Sequence, residues 1–344
     1  MSANSPSSSY PAWKDLVTKY QKSHLAKSIW QICDSFIPYF MLWFLMYLSL
    51  NLSYWLTIVL SLPAAGFLVR MFIIQHDCGH GSFFKSKRAN DFLGTFTSIF
   101  TLTPYHYWRK SHAIHHAGMG NLEHRGIGDI YTMTVNEYLQ KSKWGRFKYR
   151  LYRNPFILFV FIPSILFIVL YRLPLSQSSS LKNLQPGVYL TTLVIAIVAG
   201  IVIWLIGWQS FLLIQLPLTV FASTTGTWLF YIQHQFEDTY WETDDEWDFT
   251  IAALQGSSFY KLPKILQWFT GNIGFHHIHH LSPRIPNYSL PKCHKENPLF
   301  QRTSVLSIRT SLKSSLLSLW DEKQKKLVGF KYLKTLQTKS NSIR

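Results

Sequence analysis

Apolar and polar positions along this chain sort into long uncharged runs separated by short polar or basic joints. Ile32 to Leu52 is the first run, rich in Phe, Leu, Trp and Tyr. Tyr54 to Ile74 is the second, and Arg70 stands one turn from its end, where a long side chain can reach the interface. Each has about the twenty residues that a helix needs to cross a bilayer. The joint between them is very short, so they predict a hairpin that returns the chain to its starting side. Asp91 to Leu102 is apolar but only about a dozen residues long, too short to span. It predicts an interfacial or dipping segment. A basic stretch follows, with Lys141, Lys143, Arg146, Lys148, Arg150 and Arg153, as expected of a cytoplasmic flank.

Three more runs come next: Pro155 to Tyr171, Val188 to Trp208, and Ser210 to Gln233. The last two are long and nearly uncharged, with a turn at Gly207 to Ser210, and predict a spanning hairpin. Pro155 to Tyr171 is interrupted by Pro163 and closed by Arg172. It reads as re-entrant or membrane-lying; the alternative is that it spans and one of its two successors does not. Beyond Gln233 the chain turns acidic, with Glu237, Asp238, Glu242, Asp244, Asp245, Glu246 and Asp248. Met1 to Pro11 is polar and Ser-rich and lacks the basic-then-apolar signal pattern, so it reads as a disordered leader. The pattern thus divides the chain into a leader and amphipathic lead-in (1–30), a membrane domain (31–291) and a basic C-terminal region (292–344).

Composition agrees. Hydrophobic residues make up 48% of the chain and charged residues 15%, against roughly 25% in soluble domains. The net charge of +17 resides on the flanks of the apolar runs, which fits positive-inside loops better than nucleic-acid binding. Such loops also attract anionic lipid or an acidic protein. Cys33, Cys78 and Cys293 are far apart and form no CxxC, which argues against a disulfide framework or a zinc–thiolate site.

The chemistry is written in histidine. His76 and His80 form one cluster, His112, His115 and His116 a second, and His276, His277, His279 and His280 a third. Residues spaced i, i+3 and i+4 share a helix face, so His76 with His80, His112 with His115 and His116, and His276 with His279 and His280 can converge. A lone histidine is usually an ordinary core or surface residue; three such clusters are not. Imidazole suits zinc, copper, iron and nickel, and eight aligned rings exceed what one metal holds, so two metals are expected. The clusters must then lie on one side of the membrane, each just outside a span. Asp77, Asp91, Asp129, Glu237 and Asp238 are candidates to orient the rings from behind. His24, His124 and His294 read as surface residues, and His106 as surface or supporting. Trp108, Trp228, Trp268 and Phe275 flank the clusters, as packing or as tunnel lining.

The motifs HDCGH, HAIHH and HHIHH resemble the HxxxH, HxxHH and HxxHH boxes of membrane fatty-acid desaturases. The phrases RLYRNPF, GDIYTMTVNEY, YIQHQFEDTYWE and GSSFYKLPKILQWFTGNIGFHHIHHLSPRIPNYSL are similar to those of bacterial acyl-lipid desaturases, most closely the cold-inducible Δ5 type, related to the Δ12 type. The likeness runs from about Ile32 to about Phe330. It implies an all-α integral membrane protein, a bundle of about four spanning helices (up to six with re-entrant or interfacial ones) bearing a cytoplasmic histidine-rich di-metal cap. It further implies a non-haem di-iron centre that uses O2 to insert a cis double bond into the acyl chains of membrane phospholipids or glycolipids. By position in the boxes, the implied ligands are His76, His80, His112, His115, His116, His276, His279 and His280. His234, at the end of the last span, is the ninth, and His277 falls on a variable position. Acyl-CoA relatives carry Asn one turn before the ninth ligand, where this chain has Phe230; Asn272 is a candidate for a structural or supporting role.

No haem, flavin or iron–sulfur signature is present, so electrons must come from outside. The resemblance points to ferredoxin or flavodoxin, acidic carriers that basic loops attract. It places the protein in the bacterial cell membrane, or the thylakoid of a cyanobacterium. Two other readings stay open on sequence alone: a di-iron hydroxylase or ketolase of alkanes or carotenoids, and a His-rich metal transporter.

Overall fold

The computed structural model of this chain describes residues 13–174 and 178–335. The Met1 to Pro11 leader and the last residues of the basic tail, Lys339 among them, lie outside this range. A short helix α1 (Trp13–Thr18) leads to α2 (Leu25–Ser49) and α3 (Tyr54–His80), which pack as the predicted hairpin. Helix α3 overshoots the second apolar run, so the span and the first histidine cluster are one continuous helix. Gly81 ends it with φ +67°, a left-handed conformation that glycine adopts without strain.

Helix α4 (Lys87–Thr101), capped by the Ser86 hydroxyl, lies along α3 and turns at Leu102, φ +54°. At about 1.5 Å per residue its length is near 22 Å, short of a bilayer core. Helix α5 (Tyr105–Gly118) then returns and carries the second cluster. The two cross tightly, for a Cβ on Gly94 would sit 2.2 Å from the Tyr105 ring. The Tyr105 hydroxyl donates to the Cys78 carbonyl at 2.9 Å, and Arg109 pairs with Asp91 at 2.7 Å. Asp91 therefore fixes α5 to α4 and reaches no box histidine.

Strand β1 (Met133–Thr134) runs into α6 (Val135–Gln140), which opens with a reciprocal cap between Thr134 and Glu137. Helix α7 (Lys143–Tyr152) holds the basic stretch. A π-helical turn (Ile157–Phe161) continues into α8 (Ile162–Ile168), and the chain bends by 61° between α7 and the stretch ending at Arg172. After the short α9 (Ser179–Lys182) come α10 (Gln185–Ile206) and α11 (Trp208–His234), joined at Gly207, φ +83°. Helices α2, α3, α10 and α11 are long and apolar enough to cross a membrane; the bent stretch makes a fifth if it counts as one span. The chain is a predominantly helical membrane protein.

Helices α12 (Phe249–Gln255), α13 (Lys264–Phe269), α14 (His276–Leu281), α15 (Leu290–Glu296) and α16 (Ile308–Ser314) build the cap, with β2 (Phe259–Tyr260), β3 (Val305–Leu306), β4 (Leu319–Asp321) and β5 (Lys326–Val328). Strand β2 pairs with β3 in parallel. Strand β4 pairs with β1 in parallel, Met133 opposite Leu319, and with β5 antiparallel. Trp320 on β4 is buried and stacks on Trp241 at 5.7 Å. The division drawn at residue 291 falls inside α15, and the basic C-terminal strands are woven into the cap.

Arg70 departs from expectation. Instead of reaching the interface it is buried, pairing with Asp34 at 3.2 Å and donating to Ser35 and to the Trp268 carbonyl, with its guanidinium over the Trp268 ring. A guanidinium in low dielectric must find such partners. Here they tie α2 and α3 to the segment that leads into the third cluster.

Candidate metal centre

Four elements bring nine imidazoles together. His76 and His80 lie one turn apart on α3. His112, His115 and His116 occupy one face of α5, and His276, His279 and His280 that of α14. His234 is the last residue of α11. The rings sort into two groups. His76, His80, His112, His116 and His279 form one, and His115, His234 and His280 the other, with one nitrogen of each ring within 4.8 Å of the rest of its group. His276 stands beside the second, its Nε2 3.2 Å from His234 and 3.1 Å from His280. All nine residues named from sequence are thus gathered.

The donor set fits two metals. Nε2 atoms of different rings approach to 3.0–3.2 Å: His115 and His280 to His234, His112 and His279 to His116. Two ligands at about 2.1 Å from a metal and at right angles to each other sit about 3.0 Å apart. Burial, aided by the neighbouring rings, holds His112, His116, His276, His279 and His280 well below the ordinary histidine range. Neutral imidazole is the form that binds metal. An all-nitrogen set suits iron, zinc, copper or nickel over calcium or magnesium.

Behind the rings, some sequence candidates arrive and others do not. Asp77 Oδ1 lies 3.3 Å from His76 Nδ1, while its Oδ2 accepts from the backbone and side chain of Asn287 at 2.7 and 2.8 Å. Asn287 also exchanges hydrogen bonds with Gln31 of α2. This buried network locks the first cluster to the chain that follows the third. Asp129 Oδ1 faces His115 Nδ1 at 3.7 Å, and neither atom has another partner among the described residues. Glu237 and Asp238 are corrections: both are exposed, and Glu237 pairs outward with Lys326. Asn272 is structural. It sits at φ +57° after Gly271 and accepts from Gln267, so it shapes the sharp turn before α14.

His234 Nδ1 lies 2.7 Å from the Phe230 carbonyl, which leaves Nε2 facing the other rings. The Phe230 ring lies 4.6 Å from His234 and offers it no donor. His277, excluded from the ligand set, turns the other way. It is fully buried with Nε2 2.9 Å from the Phe300 carbonyl, and burial, then His294, pushes its pKa down to about 3. His294 is half-buried against Phe259 and Phe275, a further correction. His24, His106 and His124 are exposed as expected.

An apolar cavity of about 450 Å³ opens beneath the rings. His76, His112 and His276 form its head. Leu68 and Val69 of α3, Pro163 and Phe167 of α8, and Thr219, Ala222 and Gly226 of α11 line it further in. Trp108 lines it too and stacks on His112 at 4.7 Å and 15°. Trp228, Trp268 and Phe275 are packing residues instead, against Phe159, Arg70 and Phe259. Sequence reasoning missed Asn287 and Gln31. Neither carries a local signal, because Asn287 pairs with Asp77 and Gln31 with Asn287, each far away in the chain.

Comparison with known proteins follows the same line. The profile of a family described as fatty acid desaturase matches residues 22–311. A protein of Bacillus subtilis (strain 168) named fatty acid desaturase is 48% identical over 318 residues, covering 92% of this chain and 90% of its own length. Proteins of Synechocystis sp. and Nostoc sp., each named sn-1 acyl-lipid omega-3 desaturase (ferredoxin), are 31% and 30% identical over 64% of this chain. The chain spans 61% and 62% of those two.

Proposed function

The chain belongs to the fatty acid desaturase family, and on that premise we propose how it works: two iron ions held by the nine histidines, electrons from ferredoxin or flavodoxin, and the metal face turned to the cytoplasm of a bacterial cell membrane. The protein is an acyl-lipid desaturase, a membrane oxidoreductase acting on fatty acyl chains. The family match sets aside the hydroxylase, ketolase and transporter readings.

The observation that carries the mechanism is the junction of the rings with the cavity. The reaction removes two hydrogens from adjacent methylenes and, with O2, two electrons and two protons, yields a double bond and two waters. Bound metals supply the oxidising power that side chains lack. The chain supplies everything else. His76, His80, His112, His116 and His279 would hold one ion, and His115, His234, His276 and His280 the other. Asp77 orients His76 from behind, and Asp129 faces His115 from the Nδ1 side of its ring as a further carboxylate within reach. The apolar wall keeps water out and presents one stretch of the chain to the head of the cavity. Trp108 forms part of that wall while holding the His112 ring flat.

The test is expression in a host without polyunsaturated lipids. The purified protein should hold about two irons, and mass spectrometry of derivatised fatty acids should find one new cis double bond, dependent on O2 and on added ferredoxin or flavodoxin. Zinc in place of iron, or carrier-independent turnover, would refute the corresponding part. Reporter fusions after Arg88, Gly120 and Pro283 should all report the cytoplasmic side, and one after Leu52 the opposite side.

A further inference from the structure

Helix α7 has a face that the mechanism leaves unused. Trp144, Phe147 and Leu151 form an exposed stripe along it, 62%, 51% and 47% accessible. The Trp144 and Phe147 rings stack at 5.2 Å, and Lys148 Nζ sits 5.4 Å over Trp144. Past the bend Phe156 and Phe161 are exposed too, at the start of an apolar stretch that, joined with α7, is long and apolar enough to cross a membrane. The charges beside it are of two kinds. Arg146 and Arg150 are spent within the protein, on the Lys141 and Leu139 carbonyls and on the Tyr138 hydroxyl. Lys143 and Lys148 are exposed and make no ion pair among the described residues. Tyr152, one turn beyond Lys148 on the same face, lines the cavity.

We propose that α7 seats the headgroup of the lipid being desaturated, and that the headgroup is that of an anionic phospholipid. This rests on the acyl-lipid reading above. The phosphate pairs with Lys143 and Lys148 while Trp144 and Phe147 sit in the headgroup layer, as aromatic rings do at membrane interfaces. The acyl chain then passes Tyr152 into the cavity. Charge alone would also admit an acidic electron carrier. The aromatic stripe decides against it, because it leads into an exposed apolar stretch, which suits the edge of a membrane and gives a soluble acidic protein no charge to pair with.

The experiment compares phosphatidylglycerol with phosphatidylcholine bearing the same acyl chains, in nanodiscs holding the full-length protein. It reads turnover at saturating carrier and, separately, binding of fluorescent short-chain analogues of both lipids to the purified protein. Each lysine near a lipid phosphate contributes about fivefold. Lys143→Gln with Lys148→Gln should therefore weaken phosphatidylglycerol binding about 25-fold and cut the phosphatidylglycerol-to-phosphatidylcholine ratio of kcat/KM by a similar factor. Lys143→Arg with Lys148→Arg should restore both. Unchanged binding and ratio in the glutamine variant would overturn the proposal. A raised KM for the carrier with both lipid measures unchanged would assign α7 to the carrier and overturn it equally. Preferential binding of phosphatidylglycerol without desaturation of either lipid would leave the α7 site standing and remove the acyl-lipid reading.

Discussion

Gly226→Leu should shorten the acyl chain this protein accepts without disturbing its metals. Gly226 lines the cavity from α11, and a Cβ built on it meets nothing within 4 Å. The added side chain therefore enters empty space, and replacing a helical glycine gains up to about 1 kcal/mol of stability. Gly226 lies eight residues before His234, about 12 Å deeper at 1.5 Å per residue. An extended chain advances about 1.2 Å per bond, judged from the roughly 3.6 Å spanned by the three bonds of one residue. The plug thus stands some ten carbons past the metals, while the natural cavity runs on to Thr219, about 10 Å deeper again. Each methylene forced against a filled pocket costs about 1–3 kcal/mol, or 10–200-fold in kcat/KM. Chains with fewer than about ten carbons beyond the reacting pair should turn over normally, and longer ones should lose at least about tenfold. Gas chromatography–mass spectrometry on lipids of graded acyl length, with metal content as control and Gly226→Ala beside it, measures this. Unchanged rates and double-bond position on the longest chains would mean that the acyl chain does not run through this cavity.

Three further outcomes are expected. Single replacement of His76, His112, His276 or His279 by Ala should abolish desaturation and lower the metal-to-protein ratio while leaving membrane insertion intact; two of the four retaining over half the activity would break the shared-centre model. His277→Ala should keep its metals but lower stability by about 1–3 kcal/mol, because the Phe300 carbonyl loses its buried donor; loss of metal in this variant would put His277 among the ligands. Gly94→Ala should drive a Cβ into the Tyr105 ring and cost about 1–3 kcal/mol, seen as a lower melting temperature in detergent; an unshifted melt would contradict the tight α4–α5 crossing.

The spans and the nine rings were legible in the sequence because both signals are local. Hydropathy over about twenty residues marks a span, and i, i+3, i+4 spacing puts three rings on one face. What was not legible depends on pairing across the chain. Arg70 read as an interface residue because nothing near it in sequence announces Asp34 or the Trp268 carbonyl. Glu237 and Asp238 follow the last span directly and looked placed to support His234, yet the helix ends there and turns both outward. Asp77 was found by its adjacency to His76, but its stronger partner Asn287 was invisible. Strand β1 has only two residues, too few to leave a periodic trace, and exists because β4 lies beside it.

The grouping of the rings determines how much of the chain must be made before either set is complete. His76 and His80 leave the ribosome early, but the group they join also needs His279, and the other group needs His234 and His280. Neither set is complete until the last spanning hairpin and α14 have been synthesised. On the two-metal reading proposed above, loading is a late event in biogenesis, following synthesis of the last long apolar helices. A cell starved of the metal should accumulate full-length, correctly inserted but empty protein, ready to be activated without new translation once the supply returns.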